Sequence, residues 1–214
     1  MTEMIQGSTE WVQARLGRAT ASRIADVVAK TKSGWGASRY NYAAELIAER
    51  LTGVQAERYT NAAMAHGTAT EPEGRAAYEF YAGVEVVQTG FDPHPTIEMA
   101  GASLDGLVGS KGMIEIKAPN TSIHIETLLG DEIPGKYITQ MYFQMACRPE
   151  RQWCDWVSFD PRLPESMRLF VRRVPRDDAA IAELEKQVRI FLAEEVDAKV
   201  AALTKKYGGA RAAA

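Results

Sequence analysis

Apolar positions along the chain change their period several times, and each change predicts a different element. In "RYNYAAELIAERLTG", Tyr42, Leu46, Ile47 and Leu51 recur at helical spacing, with Ser38 as the expected cap and Gly53 as the stop. "GSTEWVQARLG" reads as a short helix capped by Ser8 or Thr9 and closed by Gly17. "TASRIADVVAK" reads as a second helix that opens near Thr20 or Ser22, and "KTKSGWGAS" as a loop. A longer helix is expected through "AAMAHGTATEPEGRAAYEFYAG", opened by Asn61, kinked or restarted at Pro72 and ended by Gly83.

The pattern then turns to strands. "VEVVQTG", "TIEMAGASLDGLVG" and "MIEIKAP" read as β structure, the last stopped by Pro119. "SIHIETLLG" and "GKYITQMYFQMACR" return to helices. "QWCDWVSFD" and "SMRLFVRRV" predict a strand pair joined by the turn "PRLPE". The segment from Asp177 to Gly208 predicts a long amphipathic helix, with "ARAAA" fraying beyond it. This succession predicts an α/β fold, a mixed central sheet flanked by helices.

The 214 residues, 46% of them hydrophobic, suffice for one substantial core, so a single domain over residues 1–214 is expected. The strand pair and long helix at about 152–207 complete it. A charged fraction of 25% is that of a folded chain and not a disordered one. The net charge of −3 neither points to nucleic acid nor excludes it, because a basic channel can sit on an acidic protein. Cys147 and Cys154 lack zinc spacing and are too few for a disulfide framework, so both read as reduced and structural. No leader pattern opens the chain, and no apolar run approaches the roughly 20 residues of a bilayer span. A cytoplasmic protein without a membrane partner is expected.

One stretch departs from plain folding logic. "ASLDGLVGSKGMIEIKAPN" sets Asp105, Glu115 and Lys117 among small, apolar and turn residues. In a strand, Glu115 and Lys117 share one face while Ile114 and Ile116 share the other. A return turn of odd length, Gly109 to Lys111, would bring Asp105 onto the face of Glu115 and Lys117. Two converging carboxylates need a proton or a cation between them. A hard cation such as Mg²⁺ suits these oxygens and the Ile116 carbonyl, while the lysine can orient a water or offset phosphoryl charge. The competing reading is a solvated strand face with a weak ion pair. The apolar setting and the spacing favour the metal-nuclease pattern PD-(D/E)xK, although Leu104 stands where that pattern has proline.

Other segments carry candidate chemistry. Arg15, Thr20 and Ser22 form either a phosphate pocket or a capped helix with a surface arginine. Glu71 and Glu73 lie on a predicted helix, and Gln140 sits on a strongly apolar one, where it needs a partner. His66, His94 and His124 have no metal spacing. Trp35 either packs in its loop or touches DNA, Trp153 and Trp156 belong to a strand, and the basic run "MRLFVRRVPR" reads as a solvated strand face, with a channel lining or an interface as the alternative.

Taken in order, "EW…RLG…TAS", "HGTATEPEGRAAYE", "SLDG", "EIKAP" and "YITQMYFQM" resemble the lambda-type phage recombination exonucleases, the YqaJ-like viral recombinase family, over about residues 8–160. The resemblance implies a restriction-endonuclease-like fold and digestion of linear double-stranded DNA from the 5′ end. The products are mononucleotides and a 3′ overhang for recombination by single-strand annealing. It implies Mg²⁺, two ions per active site with Mn²⁺ able to substitute, a homotrimeric ring, a single-strand annealing partner, and a phage or prophage protein in a bacterial host. Residue by residue, Asp105, Glu115 and the Ile116 carbonyl match the metal ligands, Lys117 the catalytic lysine, and Glu71 a supporting acid. Arg15, Ser22, Ser103 and Gln140 match the pocket for a terminal 5′-phosphate, and Met64 falls where the family has the wedge that parts the end base pair, with core packing as its other reading. The alternatives are an endonuclease or repair nuclease on the same fold, and a DNA-binding protein without activity. Two cysteines exclude the four-cysteine iron–sulfur nucleases.

Overall fold

The computed structural model describes residues 4–56 and 62–208. The helix start expected at Asn61 and the tail 210–214 lie outside them. Helix α1 (Thr9–Arg15) leads into strand β1 (Ala19–Thr20), a 3₁₀ turn and the short helix α2 (Ile24–Val27). Strands β2 (Lys30–Thr31) and β3 (Gly34–Trp35) precede helices α3 (Ala37–Thr52) and α4 (Ala62–Ala82). Strands β4 (Val86–Val87), β5 (Phe91–Pro93), β6 (Ala100–Ser103), β7 (Gly106–Val108) and β8 (Gly112–Lys117) follow. Then come α5 (Thr121–Gly130), α6 (Gly135–Cys147), β9 (Trp153–Phe159) and β10 (Leu169–Pro175). Helix α7 (Asp178–Ile190) continues through a π-helical stretch, Phe191–Asp197, into α8 (Ala198–Tyr207).

The central sheet runs β10-β9-β8-β7-β4. Its β8–β9 pair is parallel and its other pairs antiparallel, so the sheet is mixed as the pattern predicted. A second sheet, β1-β6-β5, lies beside it. Strand β8 separates two cores. Ile114 and Ile116 pack with Tyr78 of α4, Val86, Val108 and Val157. Met113, one step out of phase, belongs to the larger core with Met141, Met145, Cys154 and Trp156. Because side chains alternate along a strand, Glu115 and Lys117 follow Met113 to the α6 side.

Three local expectations need correction. The second predicted helix opens as strand β1 and is α-helical only over Ile24–Val27. The cause is distant: Ala19 and Thr20 pair in parallel with Ala100 and Gly101, and the Thr20 N–H donates to the Tyr42 hydroxyl. The loop around Trp35 is a small hairpin, with Lys30 opposite Trp35 and the Arg39 guanidinium 4.2 Å from the Trp35 ring. Gly36, not Ser38, precedes α3, and Leu51 is exposed while Tyr42 and Leu46 are buried.

Helix α4 passes through Pro72 without restarting. It lies so close to the sheet at Gly74 that a Cβ there would stand 3.1 Å from Ile116 Cγ2 and 3.3 Å from Phe159 Cβ. That approach sets the depth of Glu71, one turn earlier. Gly74→Leu is expected to lift α4 and cost about 1–3 kcal/mol. Denaturant titration checks this against Gly130→Leu, where open space receives the side chain. Equal midpoints for the two variants would contradict the close packing.

Candidate active site

Strands β7 and β8 pair with Val108 opposite Gly112, leaving Gly109–Lys111 as the odd-length turn the spacing requires. Gly109 takes φ 51°, a left-handed conformation that favours glycine. The same register, carried past Gly106 opposite Ile114, sets Asp105 across from Glu115. Asp105 Oδ2 accepts the Ile116 N–H at 2.7 Å.

Glu115 is only 1% exposed, and hydrogen-bond donors surround it. Gln140 Nε2 donates to Oε1 and Gln144 Nε2 to Oε2, each at 2.6 Å. Lys117 Nζ lies 2.5 Å from Oε1. Gln140 and Gln144 are one turn apart on α6 and therefore reach the same side. A carboxylate has about four lone-pair positions, and three are met by these N–H groups. Glu115 can thus offer a metal one further oxygen contact.

Burial raises the Asp105 carboxyl well above its ordinary range, and repulsion by Glu115 and Glu71 adds to this against the pull of Lys117. Burial works against the Lys117 ammonium, but Glu115 and Asp105 outweigh it and hold the lysine charged. The Tyr137 ring, 5.2 Å from Lys117 Nζ, gives a second, neutral contact. Glu71 is also raised, chiefly by burial, with Arg75 pulling it down and Glu115 pushing it up. Arg75 holds Glu71 at 2.5 Å.

Glu71, Asp105, Ile116, Lys117, Lys136 and Tyr137 line one cleft of about 570 Å³. Among the described residues, no three His, Cys, Asp or Glu side chains converge as a complete metal cage. Asp105 and Glu115, opposed across the hairpin, are two carboxylates, a sparse oxygen set of the kind that fits a hard cation keeping several waters.

The candidate phosphate residues are divided. Ser103 Oγ accepts from Arg15 Nη1 at 2.8 Å and from Trp11 Nε1 at 2.9 Å. Ser22 is exposed, 3.5 Å from the Thr20 hydroxyl. Gln140, expected in the same pocket, has its amide on Glu115. Met64 falls within α4, but its side chain lies outside the described residues.

Glu73 is exposed, whereas Glu71 faces the cleft. Arg75, Gln144, Trp11 and Tyr137 join the site with no motif of their own. The spacings Glu71–Arg75 and Gln140–Gln144, each i to i+4, are the sequence signals that could have found two of them. The histidines have structural partners: His94 meets Glu185 at 3.0 Å, His124 meets Ser158 at 2.7 Å, and His66 meets Thr70 at 3.3 Å. Both cysteines are free and buried, with burial raising their thiols. On β10, Arg172 pairs with Asp131, and Arg173 with Asp155. No helix among the described residues is long and apolar enough to cross a membrane.

Residues 10–149 match the model of the YqaJ-like viral recombinase domain. The chain is 52% identical to an alkaline exonuclease (LHK-Exo) from Laribacter hongkongensis, with a TM-score of 0.87 over 94% of this chain and 98% of that one. The same identity, coverage and score hold for LHK-Exo in complex with dAMP. A phage related exonuclease from Haemophilus somnus 129PT, 14% identical, shares the fold with a TM-score of 0.69 over 88% of this chain and 96% of that one. No curated protein matches the chain.

Proposed function

The chain belongs to the YqaJ-like viral recombinase family, whose members are phage-type nucleases, and on that premise we propose that it is a metal-dependent exonuclease acting on linear double-stranded DNA. It removes 5′-mononucleotides in the 5′-to-3′ direction and leaves a 3′ single strand. The carrying observation is the joining of two pieces of chemistry by one strand end. Ser103, held by Arg15, and Asp105, across from Glu115, are two residues apart. Ser103 ends β6 and Asp105 stands just before β7, so one short link holds both groups. A 5′-phosphate held at Arg15 and Ser103 would present the next phosphodiester to the carboxylates.

Asp105, Glu115 and the Ile116 carbonyl would hold Mg²⁺, or Mn²⁺ in its place. The metal supplies Lewis-acid stabilisation and an activated water when bound. Lys117, held charged by Glu115, stabilises the negative charge that grows on the phosphoryl oxygens and orients the water. Gln140 and Gln144 keep Glu115 in one rotamer. Glu71, restrained by Arg75, supports the site from α4. The same reading includes a homotrimeric ring around the DNA, a single-strand annealing protein that receives the 3′ strand, and Met64 as the wedge.

The test compares linear duplexes bearing 5′-phosphoryl or 5′-hydroxyl ends, with Mg²⁺. Fast mononucleotide release from phosphorylated ends is expected. Arg15→Ala should lose most of that preference, a change of about 10-fold or more for one charge-assisted contact. Equal rates on both ends, or nicking of closed circles, would replace this reading with an endonuclease.

A further inference from the structure

We propose that Lys136, at the rim of the catalytic cleft, binds a backbone phosphate of the DNA next to the one that is cut; this rests on the exonuclease reading. Lys136 stands in the first turn of α6 and lines the same cleft as Glu71, Asp105 and Lys117.

The charges in the cleft leave it this task. Two cations line the cleft, Lys117 and Lys136. Lys117 Nζ is paired with Glu115 Oε1 at 2.5 Å. Among the described residues, Lys136 has no carboxylate partner. Its ammonium lies instead 4.8 Å from the centre of the Tyr137 ring. That ring is itself supported, because buried Trp156 stacks on it with centroids 5.8 Å apart. An aromatic face attracts a cation through its quadrupole and carries no net charge. Tyr137 therefore holds Lys136 at the cleft without cancelling its charge, as a carboxylate would. The carboxyl groups of Glu71, Asp105 and Glu115 work against a polyanion here, and an unpaired cation at the mouth offsets part of that repulsion.

Depth separates the roles of the two lysines. The Lys117 side chain is 28% exposed and sits against the buried Glu115. Lys136 is exposed. The deep cation meets the phosphate that is cut. The outer one meets a neighbour on the chain, since a strand that enters the cleft must carry its next phosphates across the rim. Such a contact fixes position and reads no sequence, which suits an enzyme that digests any duplex.

The experiment is binding of a short 5′-phosphorylated duplex to the full chain without divalent metal, followed by fluorescence anisotropy over a range of NaCl, together with steady-state digestion in Mg²⁺. Lys136→Gln should lower the slope of log affinity against log salt by about 0.7–0.9, the value for one phosphate on a single or a double strand. At about 0.1 M salt that is a loss of roughly 5- to 8-fold in affinity. In digestion, the loss in kcat/KM should be carried mainly by KM, because the contact holds ground state and transition state alike. Lys136→Arg should keep the slope, since the charge remains. An unchanged slope in Lys136→Gln would overturn the proposal, as would an equal loss of slope in Lys136→Arg. A loss carried by kcat would place Lys136 on the cut phosphate and overturn it as well. If wild type binds the duplex and Lys136→Gln lowers the slope, but wild type digests no linear DNA, the exonuclease reading falls and the phosphate contact stands. If wild type digests linear DNA and Lys136→Gln keeps its slope, only the Lys136 proposal falls.

Discussion

Lys117→Ala is expected to slow mononucleotide release from linear duplex DNA by about 10²–10⁴-fold, the range for losing one positioned proton-transfer or charge-stabilising group. Lys117 Nζ lies against Glu115 Oε1 and the Tyr137 ring. Among the described residues, alanine removes the one positive side chain in contact with Glu115, whose other donors are the two glutamine amides. DNA binding should change far less, because phosphate contacts elsewhere on a long duplex are untouched. Lys117→Arg should rescue poorly, since a planar guanidinium cannot take the place of a compact ammonium in so short a contact. Single-turnover digestion with saturating enzyme measures the step directly. A residual rate within about tenfold of wild type would remove Lys117 from the reaction.

Asp105→Asn should abolish hydrolysis to a similar degree and yet yield a more stable protein when no metal is present. Burial, with Glu115 and Glu71, raises the Asp105 carboxyl, so its ionised form works against folding. The sign follows from linkage. For an acid raised on folding, the penalty is absent below the ordinary carboxylate range and full above the raised value. Asparagine removes that penalty at neutral pH and can still accept the Ile116 N–H. The advantage should be about 1 kcal/mol or more at neutral pH, one charge repulsion relieved, and should fade in acid. Mg²⁺ should reverse the order, because a ligand that binds only the native state raises its stability. Melting curves with and without Mg²⁺ decide the matter. A lower metal-free melting temperature for the variant would contradict the repulsion, and an equal Mg²⁺ response in both proteins would take Asp105 out of the metal set.

The two expectations that share the hairpin had different fates from those that depend on distant chain. The turn Gly109–Lys111 and the side of Glu115 follow from a period of two and a count of residues, and the register agrees. The α6 helix was likewise readable from its own apolar spacing. β1 was not, because its two residues are extended by pairing with a strand 81 positions later. Gln140 was placed with the phosphate residues by resemblance, whereas its amide points to Glu115, and nothing local announces which of two nearby acceptors an amide will choose.

The sequence by itself determined the mixed α/β order, the helix and strand types of the longer segments, and the convergence of Asp105 with Glu115 and Lys117. Each of these rests on short-range geometry: a helical or strand period, a glycine turn, or a parity count within one hairpin. Only the tertiary structure decided that Gln140 and Gln144 jointly hold Glu115, that Arg75 restrains Glu71, and that Trp11 ties α1 to Ser103. Most of those contacts join elements far apart in the chain, and even the Glu71–Arg75 pair, readable as a spacing, gains its role from the burial that surrounds it. A buried charge takes whichever donors packing brings within hydrogen-bond reach, and packing is a property of the whole fold.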